Sequence, residues 1–373
     1  MSPGGVNFEA TQSKFLFALL LSTLLSFSVD SLPPDGPYLF YESDSLVARW
    51  ANTEERTTGT VVFRPDNFSE LPQFASFEPE FVDPNRSFIP ATTAHYTGVS
   101  KIAAISDIHG QFETGRKLLM ANGIIDKSSN WSFGDGHLVI VGDIFDRGDQ
   151  VTELLWLIYK LEKQAERAGG RVHFLLGNHE TMILEGDERY LNARYRTTSG
   201  LIGEFYKDLY GPDTYLGRWL RSLPLVVNIN GTVFIHGGLS RSVVREVRSI
   251  DQINELYREY LIDAQDLSTI TDQNARLEML YGRGGPLWYR GYFSRGEFSE
   301  QDLNFVLRKI NAKGIVVGHT SFTAVSSYYD NRLIAVDSSI KFGSVGEVLI
   351  IENGAYFRGT ISGERIPLKA STK

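Results

Sequence analysis

Five short polar groups along the chain contain residue types that bind divalent metal ions. In order, they are D-I-H-G at 107–110, G-D-I-F-D-R-G at 142–148, G-N-H-E at 177–180, H-G-G at 236–238 and G-H-T at 318–320. Carboxylate, amide and imidazole donors without a thiolate suit Mn, Fe or Zn better than a structural zinc site. The candidate metal ligands are Asp107, His109, Asp143, Asn178, His236 and His319.

Each polar group follows an apolar, β-branched run of the kind that predicts a buried strand. The runs are 102–105, 138–141, 172–176, 233–235 and 315–317. The polar groups are therefore expected at strand ends. Asp107 and His109 are two residues apart, so at an extended strand end they project to the same side and can hold one metal ion.

The ordered pattern D-x-H-G, G-D-x-x-D-R-G, G-N-H-E, H-G-G, G-H covers about 101–340. It resembles the calcineurin-like metallophosphatases, specifically their phosphoprotein phosphatase family. The resemblance implies an α/β fold, a four-layer α/β/β/α sandwich of two mixed sheets. It also implies two divalent ions, with Asp143 as the bridging carboxylate and with Asn178, His236 and His319 completing the second ion. Two ions roughly 3.5–4 Å apart favour direct attack of a dimetal-bound hydroxide on a phosphomonoester.

Two further residues of these motifs suit the chemistry of a phosphate group. The planar guanidinium of Arg147 matches two phosphate oxygens, which a lysine ammonium cannot do. His179 follows Asn178, and the resemblance makes its imidazole the proton donor to the leaving oxygen, oriented by Asp146. Asn178 is expected to bind the substrate phosphate as well as a metal ion.

A second phosphate-binding arginine is expected within G-G-P-L-W-Y-R-G-Y at 284–292. The resemblance implies an arginine in a loop between the H-G-G and G-H motifs. Arg290 is the first choice and Arg283 the second. The alternative is that Arg290 is a surface residue stacked on Trp288 or Tyr292.

The segment after the last histidine departs from the eukaryotic-type Ser/Thr phosphatases. D-S-S-I-K at 337–341 stands where those enzymes carry an S-A-P-N-Y run. Together with 284–292 and the N-terminal apolar run, this is similar to the Shewanella-like bacterial subgroup, which includes enzymes that act on phosphotyrosine. The implied substrate is a phosphoprotein, with phosphotyrosine and/or phosphoserine/threonine. An aromatic rim is expected from Phe145, Trp288, Tyr289, Tyr292 and Phe293.

Other functions share these motifs. A dinucleoside-polyphosphate hydrolase uses the same ligand pattern, and so does a phosphatase of small phosphoesters such as nucleotides or sugars. A function of another class is a catalytically dead module that binds phosphorylated partners. A lost ligand would mark such a module, and this sequence keeps every motif residue.

Composition excludes several chemistries. The chain has 45 acidic against 37 basic residues, a formal net charge of −8, so it lacks the basic excess typical of nucleic-acid binding. It contains no cysteine, which excludes disulfides and a thiolate nucleophile. Metal-activated water is then the expected agent of phosphate removal.

The N-terminal sequence has the pattern of an export signal. An apolar run at 15–25 follows Lys14, and Ser26 and Ser28 could occupy the −3 and −1 positions of a cleavage site. The run is short for a membrane span. We therefore expect a signal peptide at 1–28, export to the periplasm or the exterior, and no membrane span in the mature chain. An uncleaved anchor or a buried helix is the alternative.

The remaining elements follow from periodicity and turn signals. A linker at 29–37 precedes a β-rich extension at 38–98, with strands at 38–41, 45–50 and 59–63. The catalytic domain is expected at 99–365 and a tail at 366–373. Helices are predicted at 112–121, 151–167, 241–263 and 300–311, with interrupted helix over 180–223. Further strands are predicted at 171–176, 225–228, 232–235, 332–336 and 347–351, with a hairpin turn at Asn230-Gly231.

Overall fold

The computed structural model describes Met1 and residues 33–43, 45–64, 69–259, 279–294, 296 and 298–369. Apart from Met1, the predicted signal peptide and its apolar run lie outside these residues. Residues 33–373 form one compact unit. Its strands are β1 Asp35–Glu42, β2 Ser45–Asn52, β3 Thr57–Phe63, β4 His95–Tyr96, β5 Lys101–Ile105, β6 His137–Ile140, β7 Arg171–Phe174, β8 Val226–Ile229, β9 Thr232–Ile235, β10 Gly314–Val317, β11 Ser326–Tyr328, β12 Leu333–Ala335, β13 Glu347–Glu352, β14 Ala355–Thr360 and β15 Arg365–Pro367.

Eight α-helices connect the strands within the described ranges. They are α1 Phe112–Ala121, α2 Val151–Arg167, α3 Asn178–Glu185, α4 Ala193–Ile202, α5 Tyr215–Ser222, α6 Val243–Glu246, α7 Ile250–Tyr257 and α8 Glu300–Lys309. Short 3-10 turns lie at Pro79–Phe81, Tyr206–Tyr210, Gly291–Phe293 and Ile340–Phe342. None of the helices in the described part of the chain has the length and apolar character needed to cross a membrane.

The helical region predicted at 241–263 consists of two helices, α6 and α7, instead of one continuous helix. The chain becomes extended at Val247 after α6, and the side chain of Ser249 then accepts the backbone N–H of Gln252 to start α7. Residues 260–263 lie outside the described residues. The helical region predicted over 180–223 is interrupted, as expected at Gly203, where α4 ends in the left-handed conformation, and at Gly211-Pro212, which precede α5. The expected interruption at Gly200 was wrong, because this residue lies inside α4, and a break not expected from the sequence ends α3 at Gly186.

Two six-stranded mixed sheets form the body of the fold, as the sequence predicted. One has the order β15-β14-β13-β5-β6-β7, and the other has the order β11-β12-β10-β9-β8-β4. Helices α1 and α2 pack on the first sheet and α7 packs on the second. The central strands β6 and β10 are buried along their whole length, which explains their continuous apolar runs.

The parallel strands of the first sheet are aligned so that their carboxyl ends meet. Ile105 pairs with Ile140, and Ile140 pairs with Phe174. In the second sheet, Ile235 pairs with Val317 in the same way. Each of these strand-terminal residues lies one to four positions before a predicted ligand. The alignment of the strands therefore places the predicted ligands close together.

The extension forms a sheet of its own and also contributes to the body. Strands β1, β2 and β3 make a three-stranded antiparallel sheet, whereas β4 pairs with β8 at an edge of the second large sheet. Strand β1 begins inside the predicted linker at 29–37, and β15 crosses the predicted start of the tail at 366. Asn230-Gly231 joins β8 to β9, as predicted for a hairpin.

Candidate active site

The side chain of Asp143 lies among three imidazoles. Its Oδ2 atom is 3.2 Å from Nε2 of His236, 3.7 Å from Nε2 of His109 and 3.9 Å from Nε2 of His179. Its Oδ1 atom accepts the backbone N–H of His179 at 3.0 Å. A carboxylate surrounded in this way can contact two cations at once.

Asn178 and His319 complete one side of the cluster. Nε2 of His236 lies 3.0 Å from Oδ1 of Asn178 and 3.2 Å from Nδ1 of His319. Donor atoms of Asp143, His236 and His319 all lie within 4.8 Å of one another, so they can hold one metal ion. The Nδ2 atom of Asn178 is 3.8 Å from the sulfur of Met182, a contact that uses one of the two N–H donors of this amide.

Asp107 lies on the other side of the cluster and connects to the last motif. Its Oδ1 atom is 3.9 Å from Nε2 of His109. Its Oδ2 atom accepts the N–H of His319 at 2.9 Å and the hydroxyl of Ser106 at 2.5 Å. A second group of donors within 4.8 Å consists of His109, Asp143 and His179. The structure therefore brings all six predicted metal ligands together.

The electrostatics of the cluster match what a cation requires. Burial lowers the pKa of His109 to about 3. Burial and the charge of His236 lower the pKa of His319 to about 2. Both imidazoles are therefore neutral. Although burial opposes ionisation, the charges of His236 and His179 hold the pKa of Asp143 well below its usual value. Burial, with Asp337 and Asp143, raises the pKa of Asp107. Burial disfavours the protonated form of His236, but Asp143 raises its pKa to about 10, so a cation that binds this imidazole has to displace its proton.

The residues present therefore fit divalent metal ions. Donor atoms of Asp143, His236 and His319 converge within 4.8 Å of one another, with Nδ1 of His319 on the side of His236, so carboxylate and imidazole donors point at one position that a cation can occupy. On the other side of their rings, His109 and His236 place Nδ1 2.7 Å from the carbonyl oxygens of Phe145 and Val141. Such bonds fix the tautomer and direct Nε2 toward a metal.

The backbone around the site adopts a conformation that few non-glycine residues take. Residues with positive φ at single positions are associated with functional sites, where the surrounding structure must enforce them. Six of the predicted site residues are in this region: Asp107 (φ 52°), His109 (48°), Asp143 (60°), Asp146 (70°), Arg147 (67°) and His319 (61°). The turns direct these side chains back across the strand ends.

Two glycines of the motifs make room for this arrangement. A Cβ atom on Gly142 would lie 2.7 Å from the backbone of Gly177 and from Nδ1 of His236. A Cβ atom on Gly177 would lie 2.3 Å from Oδ1 of Asp143. Any side chain at either position would displace a predicted ligand.

His179 and Asp146 form a short, buried pair. Nδ1 of His179 lies 2.5 Å from Oδ2 of Asp146, and both residues are almost fully buried. Burial raises the pKa of Asp146 even though His179 opposes the shift. The contact leaves Nε2 of His179 facing Asp143, where it can meet either a cation or a leaving group.

Both predicted phosphate-binding arginines adjoin the cluster. The N–H of Arg147 is bonded to the carbonyl of Tyr190 at 3.1 Å, and its guanidinium lies 5.3 Å from the ring of Tyr190. Arg290 is exposed, and its Nη1 atom donates to the carbonyl of His319 at 2.5 Å. Arg283 makes no described contact with a site residue.

The predicted aromatic rim was wrong for two of its five members. Phe145 and Tyr292 are fully buried, because they pack on the core aromatic rings of Tyr210 and Phe298. Trp288 is half-buried and lies edge-on to His319 at 5.6 Å. Tyr289 and Phe293 are half-buried and pack on neighbouring rings.

Two residues of the site had no role assigned from the sequence. The buried carboxylate of Glu180 accepts the N–H groups of Asp143, Ile144 and Gly177 at 2.8, 2.7 and 2.6 Å, so it joins two ligand loops. Its place in the G-N-H-E motif was a signal that could have identified it. Tyr190 lies outside every motif, and only a long-range backbone bond brings it to Arg147.

Known proteins resemble this chain in sequence and in fold. A family model described as calcineurin-like phosphoesterase matches residues 100–321. The crystal structure of a cold-active protein-tyrosine phosphatase from a psychrophilic Shewanella species is 41% identical, with a TM-score of 0.80 over 90% of this chain and 100% of that one. An uncharacterized protein of Schizosaccharomyces pombe is 32% identical over 285 residues, 74% of this chain and 83% of the relative.

A relative with a named activity class is the Shewanella-like protein phosphatase 1 of Plasmodium berghei. It is 30% identical over 263 residues, which cover 64% of this chain and 67% of the relative. The chain is accordingly a hydrolase of the phosphatase class. With its matched motifs, strand register and relatives among the Shewanella-like protein phosphatases, this chain belongs to the calcineurin-like phosphoesterase family.

Proposed function

We propose that the protein is a metal-dependent phosphoprotein phosphatase that favours phosphotyrosine. The observation that carries the metal chemistry is the position of Asp143, whose Oδ2 atom lies 3.2–3.9 Å from three imidazole nitrogens. The substrate rests on similarity to a solved structure described as a protein-tyrosine phosphatase. Phosphoserine and phosphothreonine are the other phosphoprotein substrates to be compared.

The proposed ligands of two divalent ions (Mn, Fe or Zn) are Asp107, His109, Asp143, Asn178, His236 and His319. Bound ions of this kind supply Lewis-acid charge, which lowers the pKa of water and stabilises developing negative charge on phosphate oxygens. The chain contributes the neutral imidazoles of His109 and His319 and the ionised carboxylate of Asp143.

The remaining residues bind the phosphoryl group and transfer a proton. Arg147 and Arg290 enter from two sides of the cluster and hold phosphoryl oxygens by charge-assisted hydrogen bonds. His179 donates the proton on Nε2 to the leaving oxygen, while Asp146 holds Nδ1 and the ring orientation. The bond between phosphorus and the leaving oxygen breaks as water attacks phosphorus, and no phospho-enzyme forms.

The proposal is tested by comparing substrates for purified protein whose metal content has been measured by elemental analysis. Peptides that differ only in phosphotyrosine, phosphothreonine or phosphoserine are assayed beside diadenosine tetraphosphate and a sugar phosphate. We expect the highest kcat/KM for the phosphotyrosine peptide. A higher value for diadenosine tetraphosphate would assign a dinucleoside-polyphosphate hydrolase. Tight phosphopeptide binding without turnover in metal-loaded protein would indicate a binding module.

A further inference from the structure

Tyr190 is an aromatic residue that contacts two proposed catalytic residues and still faces solvent. Its ring centroid lies 5.3 Å from that of His179, and the guanidinium carbon of Arg147 lies 5.3 Å from the Tyr190 ring centroid. The residue is 45% exposed, whereas the aromatic residues Phe145 and Tyr292 are fully buried. Tyr190 is therefore part of the surface that a substrate meets.

The position of Tyr190 is fixed through the backbone. The N–H of Arg147 donates to the carbonyl of Tyr190 at 3.1 Å, and Nδ2 of Asn192 donates to the carbonyl of Arg147 at 2.8 Å. These two bonds hold residues 190–192 against Arg147. Neither bond uses the ring of Tyr190, which also lies 5.8 Å from the guanidinium carbon of Arg189 and keeps part of its surface open to solvent.

The neighbours of this ring define which part of a substrate would reach it. Arg147 binds the phosphoryl oxygens in the proposed reaction, and His179 protonates the leaving oxygen. A ring beside both residues lies next to the phosphorus–oxygen bond that breaks, on the side of the leaving group. A flat leaving group can pack there in offset or edge-on geometry, and a short alkyl group cannot.

We propose that Tyr190 is a specificity residue whose ring packs against the aromatic ring of a phosphotyrosine leaving group. The inference rests on the proposed function and names the residue that sets its substrate preference. A purely structural role is the competing explanation, in which the ring only supports Arg147 and His179. On substitution of Tyr190, a structural role predicts an equal loss of kcat/KM for every phosphoester. Direct contact with the leaving group predicts a loss of kcat/KM for aromatic substrates alone.

The test compares Tyr190→Phe and Tyr190→Leu with the wild-type protein on matched phosphotyrosine and phosphothreonine peptides. We expect Tyr190→Phe to keep the ratio of the two kcat/KM values. Tyr190→Leu should lower kcat/KM for the phosphotyrosine peptide by about two- to tenfold, the range expected for one aromatic contact, with little change for phosphothreonine. Phe205→Leu, at an exposed aromatic residue beside Glu204 rather than the site, is the matched control.

Competitive inhibition gives a readout that does not involve proton transfer. Tyr190→Leu should raise the inhibition constant of phenylphosphonate by a similar factor and leave that of methylphosphonate unchanged. Equal losses on both peptides, or an unchanged phenylphosphonate constant, would overturn the role of Tyr190. A wild-type protein that hydrolyses neither peptide would instead overturn the proposed function on which the inference depends.

Discussion

His179 and Asp146 show how one imidazole can be held for proton donation while metal ligands surround it. The 2.5 Å contact to Asp146 occupies Nδ1, and only Nε2 reaches the open side of the cluster. This geometry separates the role of His179 from those of His109 and His236, whose Nδ1 atoms face backbone carbonyls.

The variant His179→Asn tests proton donation. It should lower kcat on phosphoserine peptide by about 10²–10⁴-fold, the usual contribution of general acid catalysis. Hydrolysis of 4-nitrophenyl phosphate should fall much less, because nitrophenolate leaves without protonation. Elemental analysis should give the same metal content as the wild type. Equal losses on both substrates would contradict the assignment.

Asp143→Asn tests whether one carboxylate serves both ions. The change removes the charge nearest to three imidazoles, so metal affinity should fall by more than the roughly 10–100-fold typical of changes to groups that only orient a ligand. The measurement is metal content per chain after dialysis, together with activity. Asp135→Asn is the control, because the side chain of Asp135 is 71% exposed at the surface. This variant should retain both the metal content and the activity of the wild type. An active variant with full metal content would refute the bridging role.

At the scale of elements, the side chain of Glu180 joins the loops after β6 and β7. This residue, in the first turn of α3, accepts four backbone N–H groups from these loops while fully buried. The loop that carries Asp143 and the helix that carries Asn178 are thereby fixed relative to each other.

Glu180→Gln should disturb this junction. The amide would present N–H donors to N–H donors, so we expect a loss of about 1–3 kcal/mol in the free energy of unfolding. Because Asp143 moves with its loop, metal affinity should fall as well. Urea unfolding and metal titration measure the two effects. The surface variant Glu113→Gln on α1 is the control. If Glu180→Gln had the same free energy of unfolding and the same metal affinity as this control, Glu180 would not join the two loops.

The end of α3 carries a carboxyl group with an unusual titration. Burial raises the pKa of Glu185 to about 7, although the hydroxyl of Tyr281 donates to it at 2.6 Å. The folded state then binds a proton that the unfolded state has lost between pH 4.5 and about 7. By linkage, the stability contributed by this group falls as pH rises through that window.

The pH dependence can be isolated with Glu185→Gln. Because the Glu185 residue is exposed and solvent weakens the effect, the wild type should lose up to about 1 kcal/mol more stability than the variant between pH 5 and pH 8, since the amide of the variant does not titrate. Urea unfolding of both proteins at the two pH values gives the difference. Parallel stability curves would show that Glu185 titrates normally in the folded protein.

At the scale of the whole molecule, local sequence patterns predicted the strands that precede the six candidate ligands, and the structure brings these six residues together. Their placement could be predicted because each candidate follows an apolar run by a few residues, with Asp107 and His109 sharing the run at 102–105. The patterns did not predict that Phe145 and Tyr292 would be buried, or that Tyr190 would reach Arg147. Those outcomes depend on contacts between segments far apart in the chain, such as the bond from Arg147 to Tyr190.

Export is a property of the entire chain and stays a prediction from its first residues. The apolar run at 15–25 should direct the protein out of the cytosol, with a mature N-terminus near Val29. N-terminal sequencing of protein from fractionated native cells measures this. Leu20→Arg should retain the full-length chain in the cytosol, because a charge interrupts the run. A full-length cytosolic wild-type protein would exclude export.

The candidate metal ligands come from both large sheets: Asp107, Asp143 and Asn178 follow strands of one, and His236 and His319 follow strands of the other. A cation held between them binds only when the two sheets are in native alignment. Its binding free energy is therefore added to the free energy of folding by mass action. A chain without metal would then lose that part of its stability and would be unfolded for a larger fraction of the time, when proteases can cleave it.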